Sequence, residues 1–296
     1  MPIEHISDTA KWVAYYRAME TERPDAIFHD PFALRLAGMR GEEIVDQIKR
    51  GRSMAWAMIV RTQAFDEIIL QCIDERGADV VLNVAAGLDA RPWRMNLPAS
   101  LKWFDVDLPD ILNYKTETLK NETPVCEYEA IAADMTDPEA RRDVFTKVGA
   151  IGKKVLVVTE GLMIYLTREQ AGALAHDLSH QPTFYWWLID IANPRLMKIM
   201  ERSWGKQVKQ GNAQFKFAPA EGTEFYREFG WKEIEFRAAM EEAARMHREM
   251  KGMPIWRFLM RFYPKKVREE FRKMSGFVLL QRNDVTQSWE TRERKA

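Results

Sequence analysis

Seven short runs rich in β-branched and aromatic residues recur along the chain, with helical patterns between most of them. They are Val80–Val84, Leu101–Asp107, Val125–Ile131, Lys154–Thr159, Phe184–Ile191, Trp231–Arg237 and Phe277–Gln281. The first and fourth are nearly unbroken apolar stretches, as strands covered on both faces should be. Strands that alternate with helices imply βαβ units and a largely parallel sheet. The expected fold class is α/β: a doubly wound, seven-stranded, mostly parallel sheet.

Two helix starts carry specific signals. Asp137-Pro138 sets an N-cap before a proline at the first helical position. Thr167-Arg168-Glu169-Gln170 fits a capping box. Upstream of the first strand, Trp12, Tyr16 and Met19 repeat at helical spacing, as do Phe65, Ile68, Ile69 and Cys72. After the fifth strand the rhythm changes. One excursion carries Met197, Met200 and Trp204 at helical intervals, and another holds two helical patterns divided at Pro264. No internal repeat or linker interrupts the chain. A single domain over residues 1–296 is expected, with a helical leader 1–78 and a sheet core 79–296. Segments 194–220 and 239–274 of that core form a cap over the ends of the strands.

Charge narrows the partners. Lys+Arg and Asp+Glu both total 44 in the 296 residues. The chain as a whole therefore has no pull toward nucleic acid or an anionic membrane, although local patches remain open. Lys265-Lys266-Val267-Arg268, followed by Glu269-Glu270, reads as a solvated helix face, and no nucleic-acid partner is expected. The only cysteines, Cys72 and Cys126, stand in no metal or redox spacing and suit a reducing compartment. Met1-Pro2-Ile3-Glu4-His5 begins no signal peptide. Val155 to Leu166 is too short to span a bilayer, which takes roughly 20 apolar residues. A cytoplasmic location without a membrane partner is expected, as a monomer or homodimer. His176 and His180 share a helix face, but no third ligand lies nearby, so no metal is expected. Trp186-Trp187 reads as core packing.

The chemistry concentrates at strand ends. Val84-Ala85-Ala86-Gly87 is a small-residue turn after the first strand, which lets a ligand approach the backbone closely. Small residues in such turns also serve packing alone. Asp107 lies 20 residues beyond Gly87, the remove at which an acidic residue meets ribose hydroxyls. Asp105 and Asp107 share a strand face by period 2, and spacing does not choose between them. Asp134 follows the third strand. Glu160 ends the apolar fourth strand, where an unpaired carboxylate would be costly, so it should find a cation or line a polar site.

These motifs together resemble the leucine carboxyl methyltransferase and polyketide O-methyltransferase family of class I S-adenosylmethionine-dependent enzymes. That family's L-G-A-G-L-D-T-R turn is matched by Val84-Ala85-Ala86-Gly87-Leu88-Asp89-Ala90-Arg91. Its E-V-D-x-P element is matched by Asp105-Val106-Asp107-Leu108-Pro109, with Lys115 at the usual remove. Its E-G-L-x-x-Y-L element is matched throughout by Glu160-Gly161-Leu162-Met163-Ile164-Tyr165-Leu166. Arg17-Ala18-Met19-Glu20 and Asp30-Pro31-Phe32-Ala33 look like the family's leader. The similarity covers most of residues 7–237 and is weaker to the end.

The resemblance implies a Rossmann-like sheet whose last strand is antiparallel, with S-adenosyl-L-methionine as cofactor. It places Arg61 on the methionine carboxylate, a match for the guanidinium fork. Ala85 and Gly87 would admit the cofactor to the backbone. Asp107, with Leu108 beside it, would hold the ribose, and Asp134 and Met135 would frame the adenine. Glu160 would lie near the methionine ammonium or the methyl acceptor, as the catalytic candidate. Arg17 would be a basic contact from the leader. Ala85 departs from the family's usual glycine, which is tolerable if its φ is negative.

The expected function is methyl transfer to a carboxylate or phenolic oxygen of a small molecule. A carboxylate is favoured because it is already ionised at neutral pH and needs no general base. Arg195, Lys198, Arg202 and Lys206 of the cap are candidates to anchor an anionic acceptor. Two other readings compete. Ala85-x-Gly87-x-x-Ala90 is a degraded nicotinamide fingerprint, but an NAD(P)-binding oxidoreductase leaves Glu160-Gly161 and the Arg61 leader unexplained. The other is a non-catalytic S-adenosylmethionine-binding regulatory protein, which an assay of methyl transfer would separate.

Overall fold

The computed structural model describes residues 7–47, 51–210 and 214–284, the side chains of residue 7 and residues 203–210 excepted. Strands β1 (Val80–Val84), β2 (Lys102–Asp107), β3 (Glu127–Ala132), β4 (Val155–Thr159), β5 (Phe184–Ala192), β6 (Trp231–Ala238) and β7 (Ser275–Arg282) form one sheet. Its order is β3-β2-β1-β4-β5-β7-β6. The first five strands are parallel, and β7 runs antiparallel between β5 and β6. Strand order reverses between β1 and β4, and sheets of this kind bind ligands beyond the carboxyl ends at that switch point.

Every residue of β1 and of β4 is buried, because helices cover both faces. On one face Val80, Leu82 and Val84 pack with Val144, Phe145 and Val148 of α6 (Pro138–Ile151) and Leu174 and Leu178 of α7 (Arg168–Ser179). On the other, Val81, Leu156 and Val158 meet Phe65, Ile68 and Ile69 of α3 (Ala55–Asp74). Each of those three side chains contributes at most about 1.5–3 kcal/mol by burial. The leader is thus a layer of the domain core: α3 lies on the sheet, and α1 (Ser7–Thr21) and α2 (Ala33–Gln47) pack on it through Tyr16, Leu36 and Val45. Both caps expected from the sequence are present. Thr167 and Gln170 bond reciprocally at the start of α7, and Asp137 accepts from the Glu139 N–H at the start of α6.

Beyond shifts of one residue at other strand ends, three elements differ from the expected ones. The third strand starts at Glu127 instead of Val125, whose N–H instead donates to the Pro92 carbonyl, outside the ladder. The last strand runs from Ser275 to Arg282, longer than expected, because Trp231–Ala238 pairs with it from Gly276 to Arg282 and Ala192 of β5 pairs with Ser275. Its return is antiparallel but not a tight hairpin. The excursion between β6 and β7 holds three helices in place of two: α9 (Ala239–Arg245), α10 (Met253–Met260) and α11 (Lys265–Arg272). His247 and Gly252 adopt φ of 56° and 88°, and these left-handed residues break the first pattern before Pro264 divides the second. Trp186 and Trp187 are buried in the core. No described helix is long and apolar enough to cross a membrane.

Candidate functional site

A cavity of about 760 Å³ opens beyond the carboxyl ends of β1, β2, β4 and β5. That is within the usual range of small-molecule sites, roughly 300–1,000 Å³. Arg17, Arg61, Ala85, Gly87, Asp107, Leu108, Asp134, Met135 and Glu160 all line it. The fold therefore brings together every site residue expected from the sequence.

The turn after β1 is built around a carboxylate. One oxygen of Asp107 accepts from the Gly87 N–H and the other from the Leu108 N–H, both at 2.7 Å. Each oxygen retains a lone pair on a half-buried side chain. Burial raises the pKa of Asp107, opposed by these two backbone bonds. Asp105 is fully buried and surrounded by Lys115, Asn83, Trp103 and Tyr128. The choice that spacing left open thus falls on Asp107 as the residue facing the cavity.

Ala85 does not have the expected negative φ. Its φ is +55°, beside Gly87 at +53°. The turn bonds Ala86 N–H to the Val106 carbonyl and Gly87 N–H to Asp107, which holds both residues left-handed. For an L-residue this conformation costs roughly 1–2 kcal/mol.

Glu160 lies between two guanidinium groups. Its Oε1 pairs with Arg61 Nε at 2.9 Å and its Oε2 with Arg91 Nη2 at 2.8 Å. Burial acts to raise its pKa, yet Arg91 and Arg61 bring it below the usual carboxylate value. The expected catalytic carboxylate is therefore a hub of ion pairs and a poor proton acceptor. Arg61 also reaches Asp190 on β5, whose other oxygen accepts from Gly161 N–H. Gly161 has φ +69°, and a Cβ there would lie 2.9 Å from Arg61 Nη1, so only glycine lets the arginine pass. Arg91 further pairs with Asp66 of α3 and with Asp89.

Arg17 donates to Asp30 and to the Leu88 carbonyl, tying α1 to the β1 turn. Asp134 caps its own turn by accepting from the Thr136 N–H and hydroxyl.

Asp190 on the cavity wall and Asp66 behind it lie outside every motif read from the sequence, whereas Asp89 and Arg91 fall within the turn motif but were given no role there. Asp190 left a signal, a carboxylate interrupting the apolar run of the fifth strand. Asp66 left only an acid on an otherwise apolar helix face.

Beyond the ion pairs the wall is apolar. Nine of the chain's sixteen methionines line the cavity, among them Met200, Met240, Met250, Met253 and Met274 of the two cap segments. The cap cations do not join them. Arg195, Lys198 and Arg202 of α8 (Pro194–Gln210) are exposed, while Leu196, Ile199 and Met200 face the cavity. Arg195 lies over the Phe271 ring instead. The side chains of Trp204 and Lys206 fall outside the described residues. Tyr226, fully buried on the cavity wall, has a hydroxyl without a partner among the described residues. Among the described residues no histidine lines the cavity, and no group of three or more potential metal ligands occurs.

The sequence model of the leucine carboxyl methyltransferase family matches residues 10–179. A protein from Parafrankia sp. (strain EAN1pec), provisionally named an S-adenosyl-L-methionine-dependent methyltransferase, is 35% identical over 185 residues, 59% of each chain. One of the same provisional name from Streptomyces coelicolor is 33% identical over 187 residues, 58% of this chain and 64% of its own. The match thus spans somewhat under two thirds of these relatives' length. Among solved structures, a DUF574 family protein from Streptomyces avermitilis superposes with a TM-score of 0.61 at 12% identity, covering 93% of this chain and 97% of its own. A protein from Thermobifida fusca, provisionally described as a methyltransferase, gives 0.55 at 11% identity over 95% and 96%. At such identities these structures establish the fold alone.

Two outcomes follow from the geometry. Ala85→Gly relieves the left-handed strain, partly offset by the entropy of the added glycine, and is expected to raise the unfolding free energy by up to about 1 kcal/mol. Urea denaturation reads it, and a loss of stability would contradict the strained turn. Glu160→Gln leaves two buried arginines short of a partner and is expected to cost about 3–5 kcal/mol at neutral pH. Because the folded pKa of Glu160 is depressed, the wild-type advantage is full above the unfolded value near ~4.3 and is lost as pH falls through the folded one. Melting curves of the two proteins should therefore converge in acid, and a constant gap down to low pH would refute the ion-pair account.

Proposed function

The chain belongs to the leucine carboxyl methyltransferase family, and from that premise we propose that it transfers the methyl group of S-adenosyl-L-methionine to an oxygen of a small apolar acceptor. The observation that carries this reading is Asp107. Its two oxygens are held by backbone N–H groups, and their remaining lone pairs suit the vicinal diol of a ribose. The rest of the wall fits the same ligand. Arg61 Nη2, which has no partner among the described residues, is left for a carboxylate. Asp134 and Met135 suit an adenine, Ala85, Gly87 and Leu108 line the approach, and Arg17 steadies the turn. When bound, the cofactor supplies an electrophilic methyl on a sulfonium.

The protein's part is positioning and exclusion of water. Glu160 acts by fixing Arg61 and Arg91 rather than by moving a proton. Holding two reactants in line is worth about 7–11 kcal/mol where the geometry is tight. The acceptor's class follows from what the wall lacks. Glu160 is neutralised by two arginines, and burial pushes Tyr165 up to about 12. Neither serves as a base at neutral pH, which favours an acceptor oxygen that arrives ionised, a carboxylate over a phenol. With Arg195, Lys198 and Arg202 facing outward, the acceptor's body is held by the methionine-rich wall, whose flexible thioethers fit varied apolar shapes.

Asp107→Ala is expected to weaken S-adenosylmethionine binding by about 1.5–3 kcal/mol in calorimetry. Unchanged affinity, or a preference for NADH, would remove the basis of the reading. With an apolar carboxylic acid as acceptor, turnover should be nearly independent of pH from about 6 to 9. The product should release methanol in mild base. A base-stable ether formed faster at higher pH would point to a phenol instead.

A further inference from the structure

Half of the large hydrophobic residues most exposed on the described surface lie within nine positions of one another. Ile255, Phe258 and Leu259 of α10, with Phe262 and Tyr263 just after it, are between 51% and 76% exposed. Single exposed apolar residues need no explanation, but a contiguous patch of this kind marks an interaction surface. The helix does have a covered side: Met260 is buried, and Trp256 packs edge-on against Phe271 of α11 with ring centroids 5.0 Å apart. The patch is therefore a second, outward apolar face, on which Phe258 and Phe262 pair as neighbours one turn apart.

Its rim is basic. Between residues 251 and 273 there are eight Lys or Arg against two Glu, in a chain whose total charge is +0. Arg261, Lys265, Lys266 and Arg268 are exposed and make no ion pair with any described residue, while Arg257 pairs with Glu249. We propose that this face docks the protein on an anionic lipid surface, with the aromatic and aliphatic side chains in the interfacial layer and the cations on the head groups. Exposed Phe, Leu and Ile flanked by Lys and Arg on one short helical segment is the composition such docking requires. A second copy of the chain fits less well, because a two-fold contact would bring the same cluster of cations against itself.

The position of the patch gives docking a use. Met253 at the start of α10 and Met274 just after α11 both line the cavity, so the exposed face lies between two pieces of its wall. A bilayer concentrates apolar carboxylic acids, and docking there sets the cavity beside their source. This last step rests on the proposed acceptor, whereas the docking does not. The expectation of a solvated face at residues 265–270, with no membrane partner, rests on the average charge and one basic run. Neither of these reveals the apolar face beside it.

Sedimentation with phosphatidylcholine vesicles, with and without phosphatidylglycerol, tests the proposal without any methyl transfer. The wild-type chain is expected to bind the anionic vesicles and to be released by high salt. Phe258→Ser with Phe262→Ser, and separately Lys265→Glu with Lys266→Glu, should each lower the partition by at least about tenfold. Circular dichroism should be unchanged in both. No preference of the wild type for anionic vesicles would overturn the proposal, as would variants that bind like the wild type. So would a wild-type dimer that ignores vesicles and becomes monomeric when the two phenylalanines are replaced.

Discussion

Two guanidinium groups close on one carboxylate at the end of β4, and much of the site depends on that contact. Glu160 joins Arg61 of the leader helix α3 to Arg91, the first residue of the short helix that follows the β1 turn. Arg91 returns to α3 through Asp66, and Arg61 extends to Asp190 on β5. Two helices and the ends of two strands, β4 and β5, are thus clamped at the cavity by alternating opposite charges. Buried ions are costly unless paired and hydrogen-bonded throughout. That cost makes the arrangement nearly all-or-none, and it fixes where Arg61 points.

A similar constraint operates at the β1 turn. Asp107 holds the turn by its backbone and in doing so forces Ala85 into a left-handed conformation. Strain of this kind persists only where surrounding contacts over-determine it, and it gathers at functional sites. The bonds that cause the strain also set the carboxylate at the edge of the cavity.

Sequence pattern revealed what depends on local chemistry. The apolar runs of β1 and β4 and the capping box of α7 were legible because burial on both faces, and a four-residue motif, leave direct marks. The cavity wall was legible through strand-end residues, since a parallel sheet delivers those to one edge. Period alone could not separate Asp105 from Asp107, which share a face but differ by roughly 7 Å in depth along the strand. Lys115 and Tyr128, reaching over from other elements, cover the deeper one. The φ of Ala85 escaped for a similar reason, since it belongs to a turn whose Gly87 N–H is held by Asp107, 20 positions further on. Arg195, Lys198 and Arg202 were misplaced because helical spacing shows which residues share a face but not which face turns inward.

The packing of α3 also bears on how the chain is made. This helix is made well before its partners, since the Glu160 that pairs with its Arg61 lies 99 residues later. At about 5–20 residues per second, β4 follows roughly 5–20 s behind. For that interval Phe65, Ile68 and Ile69 lack Leu156 and Val158 of β4, and Arg61 awaits both of its counter-ions. The helix that carries Arg61 is thus made long before the strand that neutralises it, and the clamp closes only once β4 and β5 are both in place.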